Sequence, residues 1–112
     1  MGRPYSTELI DKLTLTRHKS LGMELGAVCV KAEIPASYIA KVFGVTRMTI
    51  HSWFRGGAIY RHRTIRISDA IQIIREDLEA GKLPLSKAEG ESQWLGQIRA
   101  YTEQLQKKVM PE

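Results

Sequence analysis

The stretch Gly44 to Gly57, GVTRMTIHSWFRGG, accepts few local structures. Glycine tolerates a left-handed backbone at little cost and so ends a helix well. Threonine two residues later can accept a hydrogen bond from the first turn of a new helix. From Arg47 onward, Ile50 and Trp53 fall on one side at helical spacing, and Gly56 and Gly57 stop the run. Upstream, Pro35 suits the first position of a helix or the turn just before it. Ala36 to Phe43 then places Ile39, Ala40 and Phe43 on an inward face. The spacing predicts helices over 36–43 and 47–55, joined by a turn of three residues. Two helices that cross steeply over so short a turn need a small residue on the first, a positive φ and an apolar plug in the turn, and a cap, a buried aliphatic and a large apolar residue on the second. Ala40, Gly44, Val45, Thr46, Ile50 and Trp53 supply these in order.

The remaining chain reads as helix too. Ser6 can cap a short helix through Leu9, Ile10 and Leu13. SLGMELGAVCVKAEI sets Leu21, Leu25, Val28 and Ala32 on one side. Gly22 and Gly26 weaken that segment by up to about 1 kcal/mol each relative to alanine, or else permit a neighbouring helix to approach closely. AIYRHRTIRIS reads as a long connection, with TIRI alternating as a short strand would. Ser68 is expected to cap SDAIQIIREDLEAG, whose inner face is Ile71, Ile74 and Leu78 and whose stop is Gly81. A last helix begins at Ser86, which has capping-box spacing to Glu89, or after Gly90. Trp94, Leu95, Ile98, Tyr101, Leu105 and Val109 make its apolar stripe. The expected fold is all-α, with five to six helices. Residues 1–85 form its main domain with a short N-terminal extension, and residues 86–112 add a C-terminal helix that packs or dimerises.

Charge narrows the partner. The net charge is +5, and from Ile34 to Ser68 there is no Asp or Glu. Lys41, Arg47, Arg55, Arg61, Arg63 and Arg66 lie in that block, while the rest of the chain carries 11 basic against 12 acidic residues. A polyanion gains most from such a block, because each neutralised phosphate releases a condensed counterion.

The segment from Ser20 to Gly57 resembles the lambda-repressor-like, Cro-type helix-turn-helix domains of many bacterial and phage regulators. The likeness rests on Ile39-Ala40, Gly44-Val45-Thr46, Thr49-Ile50 and Trp53, and covers roughly residues 20 to 80. It implies a sequence-specific, double-stranded-DNA-binding transcriptional regulator with helix 47–55 in the major groove. A DNA-binding accessory factor in phage packaging or replication, and a protein-interaction module on the same fold, remain as alternatives. Carried over by position, Arg47, Met48, Thr49 and Ser52 would read bases, Arg47 by pairing its guanidinium with guanine O6 and N7. Phosphate contacts would come from Ser37, Lys41, Thr46, His51, Arg55, Tyr60, Arg61, Arg63 and Arg66. The family often carries a polar residue where this chain has Ala36. MGRP at the start is similar to minor-groove arms, with a disordered tail as the plainer reading. A regulator of palindromic sites needs a two-fold partner. Trp94, Ile98, Tyr101 and Leu105 are the expected homodimer face, with packing inside the chain as the alternative.

Catalytic patterns are missing from the sequence. His18, His51 and His62 do not have metal-ligand spacing, and the lone Cys29 adds no zinc pattern. No glycine-rich phosphate loop or nucleophile elbow occurs. No enzyme activity, metal, cofactor or small-molecule ligand is expected. No run reaches the roughly 18 apolar residues of a membrane span, and the opening MGRPYSTELI lacks the apolar middle of a secretory signal. With Cys29 read as a buried reduced thiol, a cytoplasmic location is expected.

Overall fold

The structure, a computed structural model, describes residues 20–110, which form five α-helices and no strand among the described residues. The expected helix capped by Ser6 and the MGRP arm lie outside them. α1 spans Leu21–Ala32, α2 Ala36–Phe43, α3 Arg47–Phe54, α4 Thr64–Glu79 and α5 Glu91–Val109, with a single 3₁₀ turn over Arg61–Arg63 ahead of α4. No described helix is long and apolar enough to cross a membrane.

Each early boundary has a local cause. The Ser20 hydroxyl accepts from the Met23 N–H at 3.2 Å and starts α1. α1 ends at Glu33, whose φ of 55° is left-handed, and the Ile34 N–H closes the turn onto the Cys29 carbonyl at 3.0 Å. Pro35 sits just before α2, in the turn. Gly44, at φ 66°, ends α2, and the Val45 N–H returns to the Ala40 carbonyl at 3.0 Å. The Thr46 hydroxyl then accepts from the Thr49 N–H at 3.1 Å and opens α3.

The α1 glycines permit close approach. A Cβ on Gly22 would run into the backbone carbonyl of Trp53, and one on Gly26 would sit 3.0 Å from the Phe54 ring. α3 therefore lies directly on α1. Its inner face, Ile50, Trp53 and Phe54, is buried, and the Trp53 ring meets Phe43 edge-on at 5.8 Å. Cys29 is fully buried in the same core, and burial pushes its thiol pKa upward.

One expectation about the second half needs correction, and one choice is decided. The TIRI segment is neither connection nor strand, because α4 starts at Thr64, four residues before Ser68. Ile67 is fully buried and in phase with Ala70, Ile71 and Ile74, so the helical period simply begins earlier. The Thr64 hydroxyl donates to the Arg61 carbonyl at 2.8 Å across the entry. Ser86 does not cap α5 either: its hydroxyl accepts from the Ala88 N–H at 3.1 Å, and the helix starts after Gly90.

For α5, the two readings are a homodimer face and packing inside the chain, and the structure has the second: Trp94, Ile98 and Leu105 are buried within the chain and share one core with α2 and α4. Tyr101 is half-buried and donates to the Asp77 carboxylate at 2.6 Å. Burial, then the hydrogen bond and charge of Asp77, raise its hydroxyl pKa well above the ordinary value. The Gln106 amide donates to the Lys41 carbonyl at 3.3 Å, fixing the end of α5 against α2. Lys87 holds the other end. Its ammonium bonds Glu33 at 2.7 Å and lies 4.6 Å from the centre of the Trp94 ring. The core is closed by the fifth helix, not the fourth, and residues 86–110 are no separate unit.

Gly96 lies on the outside of α5, where an added Cβ meets nothing within 4 Å. Gly96→Ala is expected to stabilise the fold by roughly 0.5–1 kcal/mol through helix propensity. Thermal unfolding followed by circular dichroism should show a midpoint raised by roughly 2–6 °C.

Candidate nucleic-acid interface

α3 is anchored on one side and bare on the other. With Ile50, Trp53 and Phe54 buried, Arg47, Met48 and Ser52 are exposed. They line an open groove of about 910 Å³ together with Thr46 and His51, and Arg55, Gly56 and Gly57 close its far end. Gly57 serves more than helix termination: a Cβ there would run into the Ser52 hydroxyl. Gly57 thus leaves room for Ser52, a role its position after the helix does not announce.

Arg47, His51 and Arg55 recur every four residues and form one stripe. His51 is half-buried, its ring 6.2 Å from Phe54 and edge-on. Its pKa is lowered, first by burial and then by the charges of Arg55 and Arg47. The two ion pairs formed among the described residues, Arg75 with Glu24 and Lys87 with Glu33, use none of the cations of the acid-free block.

The other candidates divide into those that face outward and those that turn in. Ser37 and Lys41 are exposed on α2, and the Lys41 ammonium lies 5.5 Å from the centre of the Tyr38 ring. Arg61 is exposed, and Tyr60 stacks on His62 with ring centres 5.9 Å apart. Thr46 and Thr49 pair with each other, hydroxyl to hydroxyl, at 3.0 Å. The Thr49 side chain is thereby part of the cap of α3. Arg63 is half-buried and Arg66 exposed, and each also makes a contact within the chain. Arg63 donates to the Phe43 carbonyl at 3.1 Å, bracing the end of α2. Arg66 donates to the Val109 carbonyl at 3.3 Å and lies 3.4 Å from the Met110 sulfur. A guanidinium seeks carbonyls left open at helix ends, and both arginines have found one.

Sequence reasoning missed the last turn of α5. The Arg66 contact brings it beside the start of α4, and Lys107 and Lys108 are exposed there. The KK pair is visible in the chain, but only the fold puts it near the acid-free block. Ala36, where the resembled family often has a polar group, is buried at the start of α2.

What the arrangement offers chemically is a set of hydrogen-bond donors, two hydroxyls and one apolar side chain on an exposed helix face, in a lining that contains no carboxylate. Among the described residues no three His, Cys, Asp or Glu side chains gather. No protein-family model, curated protein or solved structure matches the chain.

Proposed function

We propose that this chain is a sequence-specific double-stranded-DNA-binding protein that regulates transcription, with α2 and α3 as a helix-turn-helix and α3 as the helix that enters the major groove. The observation that carries this reading is the division of α3. Its apolar face is buried, while Arg47, Met48 and Ser52 stand exposed inside a block without a single carboxylate. An α-helix fits the major groove of B-DNA, and base edges there present distinct donor and acceptor patterns. Arg47, at the first position of α3, is the residue for guanine. Lys41, Arg55, Arg61 and the Tyr60–His62 stack supply contacts to the phosphate backbone, which fix register without reading sequence. Such a protein works where the DNA is, in the cytoplasm of a bacterial cell. A two-fold partner on a palindromic site would dock through residues other than Trp94, Ile98 and Leu105, which the chain already covers.

Arg47→Ala tests the reading directly. On duplexes selected from a random pool, it is expected to cost about 1–3 kcal/mol at one base pair and to relax the preference there. Arg61→Ala is expected to weaken cognate and random duplexes alike, as the loss of a phosphate contact does, whereas Arg63→Ala is expected to lower the thermal midpoint, because it unties the Phe43 carbonyl. Fluorescence anisotropy against both duplexes separates the two behaviours. Equal losses on cognate and random DNA from Arg47→Ala would contradict its assigned role.

A further inference from the structure

Met48 is 81% exposed on a helix whose other large apolar side chains are buried. It stands one residue from Arg47 and one turn from Ser52, on the wall of the groove. A lone exposed apolar side chain on a random surface needs no explanation. Here the position is not random. The neighbours along the wall are donors and cations, and the segment on either side contains no acid. A partner complementary to this face would carry negative charge and would meet Met48 with an apolar group.

The base edges of a major groove expose one apolar group, the C5-methyl of thymine. The methionine side chain is unbranched, adaptable, without a donor and with only a weakly accepting sulfur, so its best complement on a base edge is that methyl. Resting on the reading of α3 as the groove-entering helix, we propose that Met48 is a specificity-determining residue that selects thymine by its C5-methyl, next to the guanine taken by Arg47. The methyl separates thymine from cytosine, which carries hydrogen at the same carbon. The half-site read by the start of α3 therefore combines a guanine with a thymine. Ser52, one turn along, bonds a neighbouring edge and does not contribute to the methyl preference.

The test removes the methyl and nothing else. Each thymine of a selected duplex is replaced in turn by deoxyuridine, which keeps every donor and acceptor, and affinities are measured by anisotropy for the wild type, Met48→Ala and Met48→Leu. One thymine per half-site should matter. There the wild type should lose roughly three- to fivefold, the equivalent of about 0.8 kcal/mol for one buried methyl. Met48→Ala should bind the two duplexes equally, and Met48→Leu should keep part of the preference. Because the side chain is exposed, both variants should unfold at the wild-type temperature. Specific binding with no deoxyuridine effect, or with the same effect in Met48→Ala, overturns the thymine assignment and leaves the DNA-binding reading standing. Loss of all specific binding in a folded Met48→Ala also contradicts it, since one methyl contact carries only a few-fold. Failure of the wild type to prefer any duplex overturns both.

Discussion

Phe54→Ala is expected to remove about 3–5 kcal/mol of folding stability, the range for deleting a buried aromatic ring. Total stabilities of such domains are only about 5–15 kcal/mol, so the variant should be near the edge of folding. Phe54 is fully buried, with its ring against Gly26 of α1 and 6.2 Å from the His51 ring at a steep angle. No side chain on Gly26 can fill the resulting cavity. Urea unfolding followed by circular dichroism should show a lower midpoint with an unchanged slope. A loss under about 1 kcal/mol would mean that the α1–α3 contact contributes much less than cavity formation at a closed core requires.

Gly22→Ala is expected to destabilise by about 3 kcal/mol or more, at or beyond the upper end of ordinary overpacking. The reason is that the new methyl would meet backbone, the Trp53 carbonyl, which has no rotamer to turn away. That carbonyl also accepts from the Gly56 N–H at 2.9 Å, so displacing it disturbs the end of α3 as well. In an unobstructed helix the same substitution adds up to about 1 kcal/mol of stability. The sign therefore decides the matter. Gly22→Ala and Gly96→Ala should move the thermal midpoint in opposite directions, and a stabilising Gly22→Ala would place α3 farther from α1 than the structure has it.

Local chemistry was legible in the sequence, and packing between distant segments was not. The α2–turn–α3 unit follows from Pro35, Gly44 and Thr46, each of which acts on residues within one turn of itself. The close approach at Gly22 and Gly26 was one of two readings open to a glycine pair four residues apart, and the structure selects it. The start of α4 was misplaced because Ser68 is a good cap by type, although the buried Ile67 kept the helical period running behind it. The apolar stripe of α5 was visible, but a stripe does not say whether its cover is the same chain or a second copy. Residue type alone likewise could not tell the exposed Arg61 from the half-buried Arg63, which meets a carbonyl 20 residues away.

The division of α3 into a buried face and an exposed, acid-free one carries the functional account. If the proposed function holds, the intact chain selects particular duplexes. The measurement is selection from a random double-stranded DNA pool at near-physiological salt, followed by sequencing of what stays bound. The account predicts recovery of a defined motif containing guanine, with affinity for it that falls steeply as salt rises and stays far above that for random DNA. Recovery of DNA without any motif, held by a binding that vanishes with salt, would contradict sequence-specific recognition, and recovery of no DNA would contradict the nucleic-acid interface itself.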